Sequence, residues 1–155
     1  MTVRDARFED AARGPLRLRA LDGEDVRVVS ALAQDGVFAV EDMTWRRQKR
    51  RFAVLLNRFR WEDRRPEGPP ERVRSLLVIE DVLGVRSLGV DPREKGTVCS
   101  LLTLDWEAGE DGAGTLVLTL AGDGEVRVEV EALEVLLQDV TRPYRAPSGQ
   151  APRHE

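Results

Sequence analysis

The sequence predicts an α+β fold that is mostly antiparallel β-sheet. The expected architecture is a small seven-stranded barrel or bent sandwich with one N-terminal helix and one C-terminal helix. Three observations support this prediction. Apolar and polar residues alternate with a period of two over much of the chain, which is typical of strands with one buried face. Turn-forming Gly and Asp separate these runs, and apolar residues with helical spacing occur near each end of the body.

The first predicted elements are a strand and a helix. Leu16–Leu21 alternates as a half-buried strand does. Asp22 is suited to cap the N-terminus of a helix, with Asp25 at its third position, and the helix is expected to end near Gly36. The apolar positions that recur at helical spacing in between are Val26, Val29, Leu32 and Ala33.

The chain that follows is predicted to be extended as far as residue 131. Turn sequences at 109–112 and 122–124 predict that the last three of these strands form a meander. Residues 37–40 and 43–46 are predicted to be short extended pieces. The predicted strands are 51–61, 73–79, 82–90, 97–106, 115–121 and 125–131, which together with residues 16–21 make seven.

Residues 132–140 are predicted to form the C-terminal helix, which would plug an open end of the barrel and cover edge strands. The apolar residues that suit one face of this helix are Leu133, Leu136, Leu137 and Val140.

The domain organisation follows from composition. Residues 1–15 are charged and weakly patterned, and are expected to be a mobile N-terminal arm. Residues 142–155 contain three prolines with Ser, Gly and Gln, and are expected to be a disordered tail. A single globular domain, 16–141, remains.

Composition also limits the function classes. The net charge is -4, which disfavours general binding to nucleic acid or anionic lipid. The sequence has one cysteine, so no internal disulfide can form. No apolar run resembles a signal peptide or reaches the ~18 residues of a membrane span. We therefore expect a cytoplasmic protein without a membrane span.

Charge is segregated along the chain, and this is the main functional hint. Residues 46–74 contain eleven Lys or Arg and four acids, whereas residues 99–141 contain ten acids and only Arg127 as a base. The densest basic segment is predicted to be a hairpin tip, where arginine can pair with carboxylate or phosphate and aromatic residues can flank it. The alternative is that the aromatic residues fill the barrel and the arginines form a solvated rim or internal salt bridges to the acidic C-terminal half. The candidate binding residues are Trp45, Arg46, Arg47, Lys49, Arg50, Arg51 and Trp61. Arg58, in the middle of the following strand, is expected to be partly buried and paired.

The sequence contains no catalytic, metal or cofactor motif that we recognise. His154 is next to the C-terminus, and Cys99 is expected to be a small buried side chain because no histidine is available to activate it. The acidic residues between 105 and 111 are expected to form a solvated turn because their spacing differs from that of a calcium loop. Carboxylate chemistry stays open for Glu62, Asp63, Glu80 and Asp81.

Two resemblances add to this interpretation. Several short strands closed by a C-terminal helix look like the pleckstrin-homology-like superfold, an analogy that concerns fold only. The segment 50–62, supported by Gln34-Asp35 and by 85–89, resembles a bacterial family known as domain-of-unknown-function family 2948, over residues 16 to about 140. That resemblance implies a soluble bacterial protein and no assigned activity.

Three functional hypotheses follow. The first is a non-catalytic interaction or adaptor module that binds an acidic protein surface or an anionic ligand through the basic hairpin. The second is an RNA-binding protein that uses the same hairpin. The third is a carboxylate-based enzyme, which would require a closed acidic pocket.

Overall fold

In the computed structural model, strands whose residues alternate between apolar and polar have side chains that alternate between buried and more exposed positions. In the long strand that begins at Arg51, for example, Phe52, Val54 and Leu56 are buried while their neighbours are not. The structure describes residues 15–62 and 71–145 and the backbone of Arg4–Asp5. The strands are β1 (Arg4–Asp5), β2 (Arg17–Ala20), β3 (Val37–Ala39), β4 (Met43–Arg46), β5 (Arg51–Phe59), β6 (Glu71–Ile79), β7 (Val82–Leu88), β8 (Val98–Ala108), β9 (Gly114–Leu120), β10 (Glu125–Val130), β11 (Val135–Asp139) and β12 (Tyr144–Arg145).

The strands form one hydrogen-bonded path that does not close. Its order is β1-β2-β11-β6-β5-β3-β8-β9-β10-β7, with β4 also paired to β5 and β12 to β6. Only β1 and β2 pair in parallel, and every other pair of described strands is antiparallel. Residues 98–100 of β8 pair with β3. From Leu101 onward β8 pairs with β9, and the register of this second pairing shifts between Leu101 and Thr103. This strand therefore joins the two halves of the sheet.

Both halves of the sheet contribute to one hydrophobic core. Leu56 and Leu77 from the first half belong to the same buried cluster as Leu104 and Leu116 from the second. The buried residues of the helix described below belong to the same cluster. Helix and sheet thus pack around one core, as expected for a domain built from packed layers.

The single α-helix of the described residues, α1 (Gly23–Ala33), confirms the predicted N-terminal helix, and a short 3-10 helix, Val40–Asp42, lies between β3 and β4. The backbone N–H of Asp25 donates to Asp22 Oδ1 at 2.8 Å, so Asp22 is the N-cap. All four apolar residues that the spacing selected are buried, and they pack into the core against β2, β5 and β8. No helix in the described ranges is long and apolar enough to cross a membrane.

The predicted C-terminal helix is wrong. Residues 135–139 form β11, which lies between β2 and β6 and pairs antiparallel with both. Val135 and Leu137 point into the core, whereas Leu136 lies half-buried on the opposite face. An apolar pair such as Leu136-Leu137 fits helical spacing and strand spacing equally, and here the unpaired backbone edges of β2 and β6 decide in favour of the strand.

The predicted strand number is also wrong. The described residues contain ten strands of three or more residues and two of two residues, rather than seven. The pleckstrin-homology-like analogy depended on a closing C-terminal helix and has no support without it. The predicted arm (1–15) and tail (142–155) lie mainly outside the described residues and stay predictions, although β1 and β12 pair with β2 and β6.

Neighbouring leucines in β11 give a test of this correction. Leu137 is 0% exposed, so we expect Leu137→Ala to lower the free energy of unfolding by about 2–5 kcal/mol. The matched variant Leu136→Ala removes the same atoms from a half-buried position and should cost clearly less. Denaturant unfolding of both variants measures the difference. Equal losses would contradict the strand, because a helix would place both leucines on one face.

Candidate functional site

The basic segment forms a hairpin tip, as predicted. Arg46, the last residue of β4, pairs with Arg51, the first residue of β5, and residues 47–50 form the turn between them. The Arg50 backbone N–H donates to the carbonyl oxygen of Arg47 at 3.1 Å, and Arg50 has a left-handed φ of 51°. The side chains of Arg46, Arg47 and Lys49 are exposed. We call residues 46–51 the basic tip.

Ion pairs divide the cations of the basic tip into two groups. Arg50 Nη2 lies 2.5 Å from Glu131 Oε2, and Arg51 donates from Nε and Nη2 to the two Glu80 oxygens at 2.5 and 3.1 Å. These hydrogen bonds raise the pKa of both guanidinium groups. Arg46, Arg47 and Lys49 make no ion pair with any residue of the described ranges. Three cations therefore remain available to a partner.

The two candidate tryptophans lie in different places. Trp45 is half-buried against the hydrophobic core next to the basic tip. Trp61 lies beyond the other end of β5, where its indole N–H donates to the Gln34 carbonyl oxygen at 2.9 Å and its ring centroid is 5.7 Å from that of Phe59. The nine residues of β5, at about 3.3 Å each, separate it from the tip by roughly 30 Å. The structure does not bring Trp61 to the other candidates.

Two grooves flank the hairpin, one on each face. The edge groove, of about 510 Å³, lies between the tip and the start of β7. The outer groove, of about 470 Å³, lies on the opposite face of the sheet. The edge groove is lined by Trp45, Arg47, Arg50, Val82, Leu83, Gly84 and Val85. The outer groove is lined by Thr44, Arg46, Arg51, Ala53, Leu76, Val78, Glu80 and Leu136. The unpaired Arg46 and Arg47 thus stand beside different grooves.

The predicted burial and pairing of Arg58 are confirmed, and its burial is complete. The side chain is 0% exposed, and its guanidinium contacts Glu62 and Asp139, which are also buried. Arg58 Nη1 and Nη2 donate to the two Glu62 oxygens at 2.8 Å each, and Nη2 also donates to Asp139 Oδ1 at 2.8 Å. Nε donates to Ser75 Oγ at 2.8 Å. We call these four residues the Arg58 network.

Every polar group of the Arg58 network has a partner. Arg58 Nη1 also donates to the Phe59 carbonyl oxygen at 3.1 Å, and Ser75 Oγ donates to Asp139 Oδ1 at 2.7 Å. The Leu16 backbone N–H donates to the remaining Asp139 oxygen at 2.9 Å. Burial opposes the charged guanidinium, but hydrogen bonds and the charge of Glu62, aided by Asp139, outweigh it and raise the pKa of Arg58. Such a saturated network stabilises a structure and leaves no group free for chemistry.

Two of the four carboxylates considered for catalysis are committed to other partners, and a third, Asp81, lies between β6 and β7. Glu62 is bound by Arg58 and Glu80 by Arg51, while Asp63 lies outside the described residues. The acidic segment 105–111 is only partly the predicted turn, because Asp105 and Glu107 lie in β8 and pair with β9. Asp105 accepts a hydrogen bond from Thr103 Oγ1 at 3.0 Å. Within the described residues, no group of three His, Cys, Asp or Glu side chains is placed to hold a metal ion.

Cys99 is buried in β8 at 7% exposure, as expected, and His154 lies outside the described residues. Burial raises the pKa of the Cys99 thiol, which lowers its nucleophilicity at neutral pH. The arrangement around Cys99 is that of a packing residue.

Sequence reasoning offered internal salt bridges to the acidic C-terminal half as one alternative for the basic tip, but it did not identify the acidic partner residues of either basic feature. Asp139 was assigned to a helix, and Glu80 and Glu131 lie far along the chain from the tip residues that they bind. The inward position of Asp139 has a signal in the sequence, because it continues the period-two series of Val135 and Leu137. The two tip partners have no such local signal.

Substitution of Arg58 tests the network. We expect Arg58→Met to lower the free energy of unfolding by about 3–5 kcal/mol, because Glu62 and Asp139 would stay buried without a cation. Arg58→Lys should recover only part of the loss, since one ammonium cannot reproduce the forked contacts. The control, Arg51→Ala, removes an exposed pair and should cost less than about 1 kcal/mol. A similar loss for Arg51→Ala would contradict the distinction between the two arginines.

The environment of Cys99 gives a second test. Ellman's reagent should react slowly with the native protein and rapidly after denaturation, because the native thiol is buried and its pKa is raised. Rapid reaction of the native protein, at a rate close to that of the denatured chain, would show that the thiol is accessible.

Comparison with known proteins places the chain in a family. A family model described as "Protein of unknown function (DUF2948)" matches residues 16–154, so the chain belongs to this family and the resemblance in its sequence is confirmed. No curated protein and no solved structure matches the chain.

Proposed function

We propose that this family member is a non-catalytic interaction module whose basic tip binds an acidic segment of a partner protein. The observation that carries the proposal is the division of the tip cations. Arg50 and Arg51 are paired within the protein, whereas Arg46, Arg47 and Lys49 are exposed and make no ion pair in the described ranges. The proposed setting is the bacterial cytoplasm, as the sequence analysis predicts.

The number of unpaired cations favours a protein segment over RNA. Nucleic-acid affinity grows with the number of phosphates neutralised, and non-specific single-strand binders add aromatic residues on which bases stack. Here Glu80 and Glu131 neutralise two of the five tip cations, Trp45 packs against the core, and Trp61 is at the far end of β5. Three point charges without a stacking surface suit a few carboxylates better than a phosphate chain.

The enzyme alternative has less support. Its candidate carboxylates that lie in the described ranges are Glu62, Glu80 and Asp81. Glu62 is occupied by Arg58 and Glu80 by Arg51. The two grooves beside the tip are open clefts lined mainly by arginine and apolar residues rather than closed acidic pockets, and the one acid among the described residues that line them is Glu80. A general acid or base needs access to substrate. Glu62 is fully buried, and Glu80 is held by Arg51.

The proposal is tested by a tip variant in which Arg46, Arg47 and Lys49 are all replaced by Gln. Short random peptides displayed on phage should enrich for Asp and Glu on the unmodified protein. Three exposed ion pairs at about 0.5 kcal/mol each correspond to roughly tenfold in affinity, so the tip variant should bind the selected peptides about tenfold more weakly. Fluorescence anisotropy measures the affinities.

A matched control carries the same charge change elsewhere. Arg27, Lys95 and Arg142 are also exposed, and their replacement by Gln again removes two arginines and one lysine. This control variant should bind the selected peptides like the unmodified protein. Equal weakening in both triple variants would mean that net charge alone governs binding. Tighter binding of single-stranded oligouridylate than of acidic peptide, lost in the tip variant, would replace the proposal with the RNA alternative.

A further inference from the structure

The outer groove is part of a larger surface that the strand register defines. Across the sheet, Ala53 of β5 lies opposite Val78 of β6, and Val78 lies opposite Leu136 of β11. The row continues to Thr44 of β4 on one side and to Arg19 of β2 on the other. These residues point away from the buried face of their strands. We call this side of β4, β5, β6, β11 and β2 the outer face.

A second row strengthens the apolar centre of the outer face. Leu55 of β5 lies opposite Leu76 of β6, and Leu76 lies opposite Gln138 of β11. Leu55, Leu76, Val78 and Leu136 are all half-buried. The water-exposed face of an antiparallel sheet is ordinarily polar, so an apolar centre here indicates a binding surface. The helix α1 is not its cover, since its buried residues belong to the core cluster on the opposite face.

The margins of the outer face are cationic. Arg46 stands on the β4 side, Arg17 and Arg19 on the β2 side, and Arg74 farther along β6. Arg19 and Glu134 are 4.0 Å apart, the limit of an ion pair, and Glu80, which lines the outer groove, is bound by Arg51. The Nε atoms of Arg17 and Arg19 are buried and have no hydrogen-bond partner. Positive charge and donor capacity are therefore in excess on both sides of the apolar centre.

We propose that the outer face binds an amphipathic acidic helix of a partner protein, with its apolar stripe on Leu76, Val78 and Leu136 and its carboxylates on Arg46, Arg17 and Arg19. The inference rests on the proposed function and names the form of the acidic segment. An apolar sheet face is ordinarily covered by a helix. The apolar rows cross three strands, roughly 10 Å, which is close to the diameter of a helix.

Charge complementarity selects a helix with acids on both sides of its stripe. The flanks of the outer face, β4 and β2, are four strand spacings apart, about 19 Å, so a helix along β6 leaves a cation beyond each edge. Of the segments outside the described residues, 63–70 and 146–155 contain no Leu, Ile, Val, Met, Phe, Tyr or Trp, and 1–3 and 6–14 contain only Met1, Val3 and Phe8. None of these segments has the four apolar anchors that the stripe requires. Recognition of this kind depends on apolar anchors at i, i+3, i+4 and i+7.

The probe is a synthetic helical peptide with Leu at those four spacings and Glu on both flanks. It is compared with one peptide in which Gln replaces Glu and another in which Ser replaces Leu. The face variant, Leu76→Ser with Leu136→Ser, should bind the probe at least about tenfold more weakly. The matched control replaces Leu83 and Leu88, which are 58% and 59% exposed on β7, by Ser and should bind normally. Both altered peptides should bind the unmodified protein more weakly than the probe.

Methyl NMR of the unmodified protein keeps the test decisive if the face variant fails to fold. Addition of the probe should shift the methyl signals of Leu76, Val78 and Leu136, and leave those of Leu83 and Leu88 in place. Shifts confined to residues near the edge groove would overturn the inference. So would self-association of the unmodified protein in light scattering that the face variant abolishes, because the cover would then be a second copy.

The outcomes separate this inference from the proposed function. If the probe does not bind while the displayed acidic peptides bind and depend on the basic tip, the helix on the outer face is wrong and the proposed function stands. If neither the probe nor the displayed peptides bind, both are wrong. If the probe binds, the face variant loses it and the leucine control keeps it, the inference is supported.

Discussion

The ion and hydrogen-bond network around Arg58 is the interaction on which the rest of the fold depends. It joins β5, β6 and β11 through Arg58, Ser75 and Asp139, and reaches the residue before β2 through the Leu16 N–H. These segments lie 17 to 123 residues apart in sequence. A buried guanidinium with two carboxylates is strongly unfavourable unless every partner is in place. Its complete saturation therefore specifies one arrangement of these strands and penalises a shifted one.

The strand register links this buried network to the surface. A slip of one residue in β11 would move Asp139 away from Arg58 and would also turn Leu136 inward and Leu137 outward. Because a slip would leave a buried charge unpaired, the Arg58 network stabilises the same register that places the residues of the outer face. The apolar rows of the outer face, the arginines on its margins and the position of Arg46 all follow from the same register. In this protein the candidate binding surface is positioned by an electrostatic constraint that lies beneath it.

Local patterns in the sequence predicted local structure well and long-range structure poorly. Asp22 and the spacing of Val26 and Val29 were sufficient for α1, and the Arg-rich turn was sufficient for the hairpin, because each depends on neighbouring residues. Residues 132–140 were misassigned because Leu136-Leu137 satisfies both periods, and the decision came from two distant strand edges. Burial of Arg58 was predictable from its place in an apolar strand. The identity of Asp139 as its second carboxylate was not, because that contact spans 81 residues.

The ion pairs show which of the segregated basic residues are neutralised within the protein and which are not. Part of the basic excess of residues 46–74 is neutralised inside the molecule, since Arg50, Arg51 and Arg58 each bind at least one carboxylate from outside the β4–β5 hairpin. Among the described residues, exposed cations of this segment remain at Arg46, Arg47 and Lys49 of the tip and at Arg74 on the outer face, and exposed charges act mainly on the rate and specificity of association. Affinity must then come from the apolar rows, because burial of apolar area supplies most of the free energy of association. In the proposed complex, the two kinds of surface therefore have complementary roles, with the charges governing the rate and specificity of association and the apolar rows supplying its affinity.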